Sequence, residues 1–165
     1  MQKYPAQGKY RFSPLFDPAS KEPYKISRSK IDLYLDCKRC FYLDRRLGIS
    51  RPSMPSLVLD QVVEHLMKKE FDLLREKGEV HELIKKYKID AVPFKHPELN
   101  RWRDVLRGKE YHDRENNFIV AAAVDDVWQN SKGELLIVDY KTTSTDRVIN
   151  LNDEYKISYK RQMDI

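Results

Sequence analysis

Two aspartates and a lysine toward the C-terminal end are the residues whose types and spacing could do chemistry. Asp139-Tyr140-Lys141 follows the apolar run Leu135 to Val138, and Asp125 follows another, Phe118 to Val124. Side chains alternate along a strand, so Asp139 and Lys141 share a face with Ile137 and Leu135, while Val138 and Tyr140 take the opposite face. Asn130-Ser131-Lys132-Gly133 supplies turn chemistry between the runs. A loop of three or four residues around Gly133 then sets Asp125 opposite position 138 or 139. Like charges directly opposite destabilise a sheet, so two such carboxylates call for a cation. A hard divalent ion, Mg²⁺ or Mn²⁺, takes one or two carboxylates with waters and phosphate oxygens. Lys141 beside it would orient or deprotonate an attacking water and stabilise charge building on a phosphate. Asp126 faces oppositely on a regular strand and ranks second, though a bulge would exchange the two. The plain alternative is a structural Asp139–Lys141 salt bridge at the mouth of a sheet.

The elements that must position these residues follow from periodicity. Phe118 to Trp128, rich in Val, Ile and Ala, and Glu134 to Thr143 read as two strands of one hairpin. Leu57 to Lys77 reads as a helix with Leu59, Val63, Leu66, Met67, Phe71 and Leu74 as its buried stripe and Gly78 as its stop. Ser27 and Ser29 can cap an earlier helix in which Ile31, Tyr34, Leu35, Phe41, Tyr42 and Leu47 recur at helical spacing up to Gly48. Between residues 79 and 117 the pattern is mixed: a short helix near His81 to Tyr87, an extended Ala91 to Phe94, and a helix around Trp102 to Leu106. His81, His96 and His112 have no partner spacing there and receive no role. Tyr155 to Ile165 reads as the start of a helix, and residues 1 to 25 as an extended arm.

Composition bounds the class. With 165 residues, 41% hydrophobic and 35% charged, the chain suits one globular domain and is too apolar for disorder. Its longest apolar run, Phe118 to Val124, is far short of the roughly 18 residues a membrane span needs, and the N-terminal segment carries no apolar h-region of a secretory signal. A cytoplasmic protein with no membrane partner is the expectation. The +5 charge is concentrated: residues 1–50 hold 11 basic and 5 acidic side chains. Such a segment would draw a polyanion by counterion release, unless it is only a solvated basic region. The two cysteines, Cys37 and Cys40, cannot build a disulfide framework, and their C-x-x-C spacing points to metal or redox chemistry or to two half-buried thiols on a helix.

The residues Asp125 and, fourteen positions later, Asp139-Tyr140-Lys141, each after an apolar strand and separated by a turn, resemble the core of the PD-(D/E)XK nuclease superfamily in its RecB/AddB-like branch. Arg161-Gln162-Met163-Asp164-Ile165 is similar to the beginning of that branch's Gln-x-x-x-Tyr helix, whose Tyr would be residue 166. Ser27 to Cys37 with Phe41-Tyr42-Leu43 resembles the N-terminal helix of the branch and of CRISPR-adaptation exonucleases. The family usually has a Gly shortly before its first Asp, where this sequence has Ala121-Ala122-Ala123.

The resemblance implies an α/β, restriction-endonuclease-like core, a mixed central sheet flanked by helices spanning 26–165, with its C-terminal part missing. It implies a Mg²⁺- or Mn²⁺-dependent deoxyribonuclease, exonuclease-like, acting in DNA repair, recombination or defence; the rival is a non-catalytic nucleic-acid-binding module on the same fold. Asp125, Asp139, the Tyr140 carbonyl and a residue of the long helix would hold the metal; His65 is favoured for that last place and Glu64 is the alternative. Lys141 would assist the water and Gln162 steady the site. Arg28, Lys30, Lys38, Arg39, Arg45 and Arg46, with Lys25, would meet the phosphates of DNA. An iron-sulfur cluster, which some relatives carry, would need cysteines beyond the two present.

Overall fold

The computed structural model describes residues 15–52, 58–142, 150, 152 and 156–165. The chain is a mixed α/β protein that divides into two compact units, one of residues up to Pro52 with Glu110–Ala121, the other of Ser53–Lys109 with Ala122–Ile165. Among the described residues there are two three-stranded sheets, in place of the one central sheet expected. No described helix is long and apolar enough to cross a membrane.

In the first unit, strand β1 (Tyr24–Ser27) pairs in parallel with β4 (Phe118–Ala122), and β4 lies beside β3 (Lys109–Asp113). Tyr24 and Ile26 alternate into the core, where Tyr24 and Phe118 meet Phe16 with ring centroids 5.2 to 6.4 Å apart. The expected arm therefore differs over its described part: Phe16 packs inward, Phe16 N–H donates to the Arg45 carbonyl, and Tyr24 and Lys25 belong to a strand. Residues 1–14 of the arm lie outside the described residues. The helix expected from Ser27 to Gly48 is two, α1 (Arg28–Asp36) and α2 (Lys38–Arg46). The break is at Cys37, whose backbone is extended at φ −157°, ψ 95°. Four of the six apolar positions assigned to the stripe are exposed, Tyr34 and Leu35 in the first half, Tyr42 and Leu47 in the second.

The second unit is built on α3 (Val58–Lys77) and a sheet in which β5 (Asp126–Gln129) pairs antiparallel with both β2 (Val92–Pro93) and β6 (Leu135–Val138). Short helices α4 (Glu82–Lys86) and α5 (Leu99–Arg103) join α3 to the rest, and α6 (Ile157–Asp164) follows the hairpin. Phe71 of α3 is the centre of its core, stacked with His81, Trp128 and Tyr140 at 4.3, 5.0 and 5.6 Å. His81 is thus structural: its Nδ1 also caps α4 by accepting from Leu83 N–H at 2.9 Å.

The long strand expected from Phe118 to Trp128 is interrupted after Ala122, its first half pairing with β1 and its second with β6. Helix α5 holds the interruption. Trp102 O accepts from Val124 N–H at 3.1 Å, and Arg103 Nε donates to Asp125 O at 2.9 Å. Gly108 lies against the same segment so closely that a Cβ there would meet Ala122 O at 2.1 Å. The second strand ends at Val138, and the Thr143 expected in it is outside the described residues. It is not a buried strand either: Leu135 and Ile137 are half exposed.

Candidate active site

The hairpin register pairs Asp126 with Val138, which sets Asp125 level with Asp139 just beyond the last ladder bond. A carboxylate at each of two neighbouring strand ends is the arrangement that like-charge repulsion should oppose. Burial pushes the Asp139 carboxyl above the usual carboxylate range; the pairing with Lys141 works against this, and the adjoining Asp125 carboxylate adds to it. Asp125 is fixed from three sides. Its Oδ2 accepts from Tyr140 N–H at 2.9 Å, its Oδ1 accepts from Lys68 Nζ at 3.0 Å, and its own carbonyl accepts from Arg103.

Lys68 reaches the site from α3 and also pairs with Glu64, one turn earlier, at 2.5 Å. Burial works against its charge, but Glu64 and Asp125 outweigh that and hold the ammonium above the ordinary lysine value. On the other side Lys141 pairs with Asp139, and Gln162 of α6 donates its amide to Asp139 Oδ1. The Lys141 ammonium also lies 5.7 Å from the centre of the Tyr159 ring. Glu64, Asp125, Asp139, Lys68, Lys141 and Gln162 are therefore linked in one polar cluster.

Asp126 has the opposite fate. Fully buried, it accepts from Arg75, from Tyr140 OH at 2.8 Å and from Val127 N–H at 2.8 Å, with Arg103 Nη2 in ion-pair contact at 2.9 Å. Arg103 Nη1 also reaches both carboxylate oxygens of Asp72 on α3 at 2.9 Å. Burial and then the Asp126 charge hold the Tyr140 phenol well above its ordinary range, so it stays protonated and donates. The adjacent aspartates thus divide their tasks. Asp126 locks α3, α5 and the hairpin together, while Asp125 is turned to the cluster.

Of the residues expected from sequence, Asp125, Asp139, Tyr140, Lys141 and Gln162 come together. His65 does not. It is exposed on α3, and Glu64 is the residue linked to Asp125 through Lys68. The reason is helical phase: Glu64, Lys68, Asp72 and Arg75 form one row at spacings of four, four and three, and this polar row faces the hairpin instead of solvent. Lys68, Arg75 and Arg103 were missed. The available signal was Asp126 itself, since a carboxylate beside the site one on a core strand must find buried cations.

The basic residues expected to meet phosphate belong to the first unit, and several are otherwise engaged. Lys30 at 2.7 Å and Arg45 at 2.9 Å pair with Asp44, which is 1% exposed. Lys25 pairs with Glu110, and Arg46 donates to the Phe16 carbonyl. Lys38 lies 5.6 Å from the centre of the Tyr34 ring. Arg28 is half-buried and Arg39 is exposed. Lys30 and Arg45 are therefore counter-ions of a buried carboxylate.

Among the described residues no three His, Cys, Asp or Glu side chains are gathered closely enough to grip an ion. The donors are nonetheless hard oxygens, two carboxylates stand at one strand end, and the three carboxylates of the cluster exceed its two ammoniums. That set fits an ion that takes one or two carboxylates and fills the rest of its shell with water and substrate oxygens. Compared with known protein families, with curated proteins and with solved structures, the chain matches none.

Proposed function

We propose that the chain is a metal-dependent nuclease that hydrolyses phosphodiester bonds of DNA on a PD-(D/E)XK-like site. The observation that carries this is the pairing of Asp125 with Asp139 at the end of the hairpin, beside Lys141. Asp125 and Asp139 would hold Mg²⁺ or Mn²⁺, with the Tyr140 carbonyl, and on the long helix it is Glu64, not His65, that is linked to Asp125, through Lys68. The ion, when bound, would supply Lewis-acid polarisation of the phosphate and a water of lowered pKa. Lys141 offers an ammonium to the phosphate oxygens on which charge builds. Gln162 holds the Asp139 carboxylate in orientation through its amide. Tyr140 fixes Asp125 with its N–H and Asp126 with its hydroxyl, so one residue sets both aspartates.

A non-catalytic nucleic-acid-binding module is the second reading, favoured by the ammoniums of Lys68 and Lys141, which already neutralise Asp125 and Asp139. Linear and circular DNA incubated with Mn²⁺ or Mg²⁺ separates the two. Cleavage by the wild-type chain, abolished by chelator and lowered at least about 100-fold in Asp139→Ala and Lys141→Ala, supports the nuclease. Binding of DNA with no metal-dependent cleavage would favour the module.

A further inference from the structure

The only two cysteines of the chain stand three apart at the break between α1 and α2. Cys37 serves both helices. Its N–H donates to Leu33 O at 2.9 Å, closing α1, and its carbonyl accepts from Phe41 N–H at 3.0 Å, opening α2. Its sulfur is the N-cap of α2, accepting from Cys40 N–H at 3.2 Å. The two sulfurs are 2.7 Å apart, and the Arg51 guanidinium is beside them. Both residues are half-buried and neither is in a disulfide. The carboxylate cluster makes no use of them and belongs to the other unit.

Two features therefore favour a thiolate at Cys37: its place at the positive end of a nine-residue helix, where its sulfur accepts from Cys40 N–H, and the neighbouring Arg51 guanidinium. We propose that Cys37 and Cys40 form a dithiol redox site that undergoes exchange with low-molecular-weight dialkyl disulfides, Cys37 attacking and Cys40 resolving. In the first step the Cys37 thiolate attacks one sulfur of the disulfide RSSR, the Cys37–SR bond forms, the RS–SR bond breaks, and RS⁻ leaves to take up a proton. In the second, the Cys40 thiolate, its proton given to solvent, attacks the Cys37 sulfur, and the second RS⁻ leaves and is protonated. The chain loses two electrons and two protons, and RSSR becomes two RSH. The spacing makes closure local, since both sulfurs already lie side by side within one helical turn. The Cys40 side chain and N–H, and then Arg51, bring the Cys37 thiol down to about 7 against the cost of burial, and an attacking thiol is most effective near that value at neutral pH. A closed tetrahedral zinc site lacks ligands here, because no third His, Cys, Asp or Glu joins the pair among the described residues.

The full chain, equilibrated without oxygen across a series of glutathione redox buffers, quenched in acid and alkylated, tests this by intact mass. The expected result is reversible conversion between a form with two alkylated thiols and a form with none, two hydrogens lighter and carrying no lasting glutathione adduct. Cys40→Ser should stop at one glutathione on Cys37, and Cys37→Ser should form its adduct at least about 10-fold more slowly at neutral pH. Arg51→Gln should slow the first step and raise the pH at which alkylation of Cys37 is half-maximal. Thiols that stay fully alkylatable in oxidised buffer, stable adducts on both cysteines, faster attack by Cys40, or one tightly held zinc per wild-type chain would each overturn it.

Discussion

Asp139 and Asp44 are both largely buried carboxylates, and their surroundings drive them in opposite directions. Burial and the Asp125 charge raise Asp139, so its ionisation costs the folded chain stability above the ordinary carboxylate pKa, and that cost is absent at lower pH where both states are protonated. Asp139→Asn is therefore expected to raise the melting temperature at neutral pH and to lose this advantage near pH ~3, below the ordinary aspartate value. Equal shifts at both pH values would show that Asp139 bears no such burden. At Asp44 burial works toward a higher pKa, but Lys30, Arg45 and Ser50 overcome it and bring the carboxyl down to about 2. Its stabilisation is present above the ordinary value and lost as pH falls toward 2, so thermal melts of Asp44→Asn should show a flatter acid limb than wild type.

At the scale of elements, α5 and the row on α3 decide where Asp125 can be. Arg103 ties the Asp125 carbonyl, the Asp126 carboxylate and Asp72 of α3 together, and Arg75 completes the charge of Asp126. Removing one partner of a buried charge pair leaves the other uncompensated, so Arg103→Ala is expected to lose about 3–5 kcal/mol in denaturant unfolding, well above an exposed arginine such as Arg39. Gly108→Ala should be destabilising as well, because its Cβ collides with the backbone of Ala122 and cannot be relieved by a rotamer. These elements were only partly legible in sequence. The hairpin register was, since its turn residues and alternation fix it, and so was the end of α3 before Gly78, though of its expected stripe Phe71 is buried and Leu66 exposed. The break after Ala122 was not, because an unbroken apolar run carries no mark of a strand that changes sheets. Nor was the orientation of α3: a row of Glu64, Lys68, Asp72 and Arg75 has the same pattern whether it faces water or a polar cleft, and that is why His65 was preferred to Glu64. Arg103 lay in a stretch whose periodicity said little, and only its pairing with Asp126 gives it meaning.

At the scale of the molecule, the basic surplus and the carboxylate cluster are on different units. Net charge alone overstates what can meet a polyanion, since Lys30 and Arg45 are held by Asp44 and Lys25 by Glu110. If DNA is the partner, Lys38→Ala with Arg39→Ala should weaken binding and reduce the slope of log affinity against log salt by about 0.9 for each phosphate no longer neutralised, measured by fluorescence anisotropy. Arg45→Ala should instead lower stability, because it strips a buried carboxylate of its counter-ion. The proposed binding of a divalent cation by Asp125 and Asp139 together is open to titration of the chain with Mn²⁺, followed by the electron paramagnetic resonance signal of the free ion. The wild-type chain should remove Mn²⁺ from solution saturably, and Asp125→Asn and Asp139→Asn should each weaken this at least about 10-fold while circular dichroism shows the fold intact. Equal Mn²⁺ uptake by wild type and both variants, or none by any of them, would contradict it.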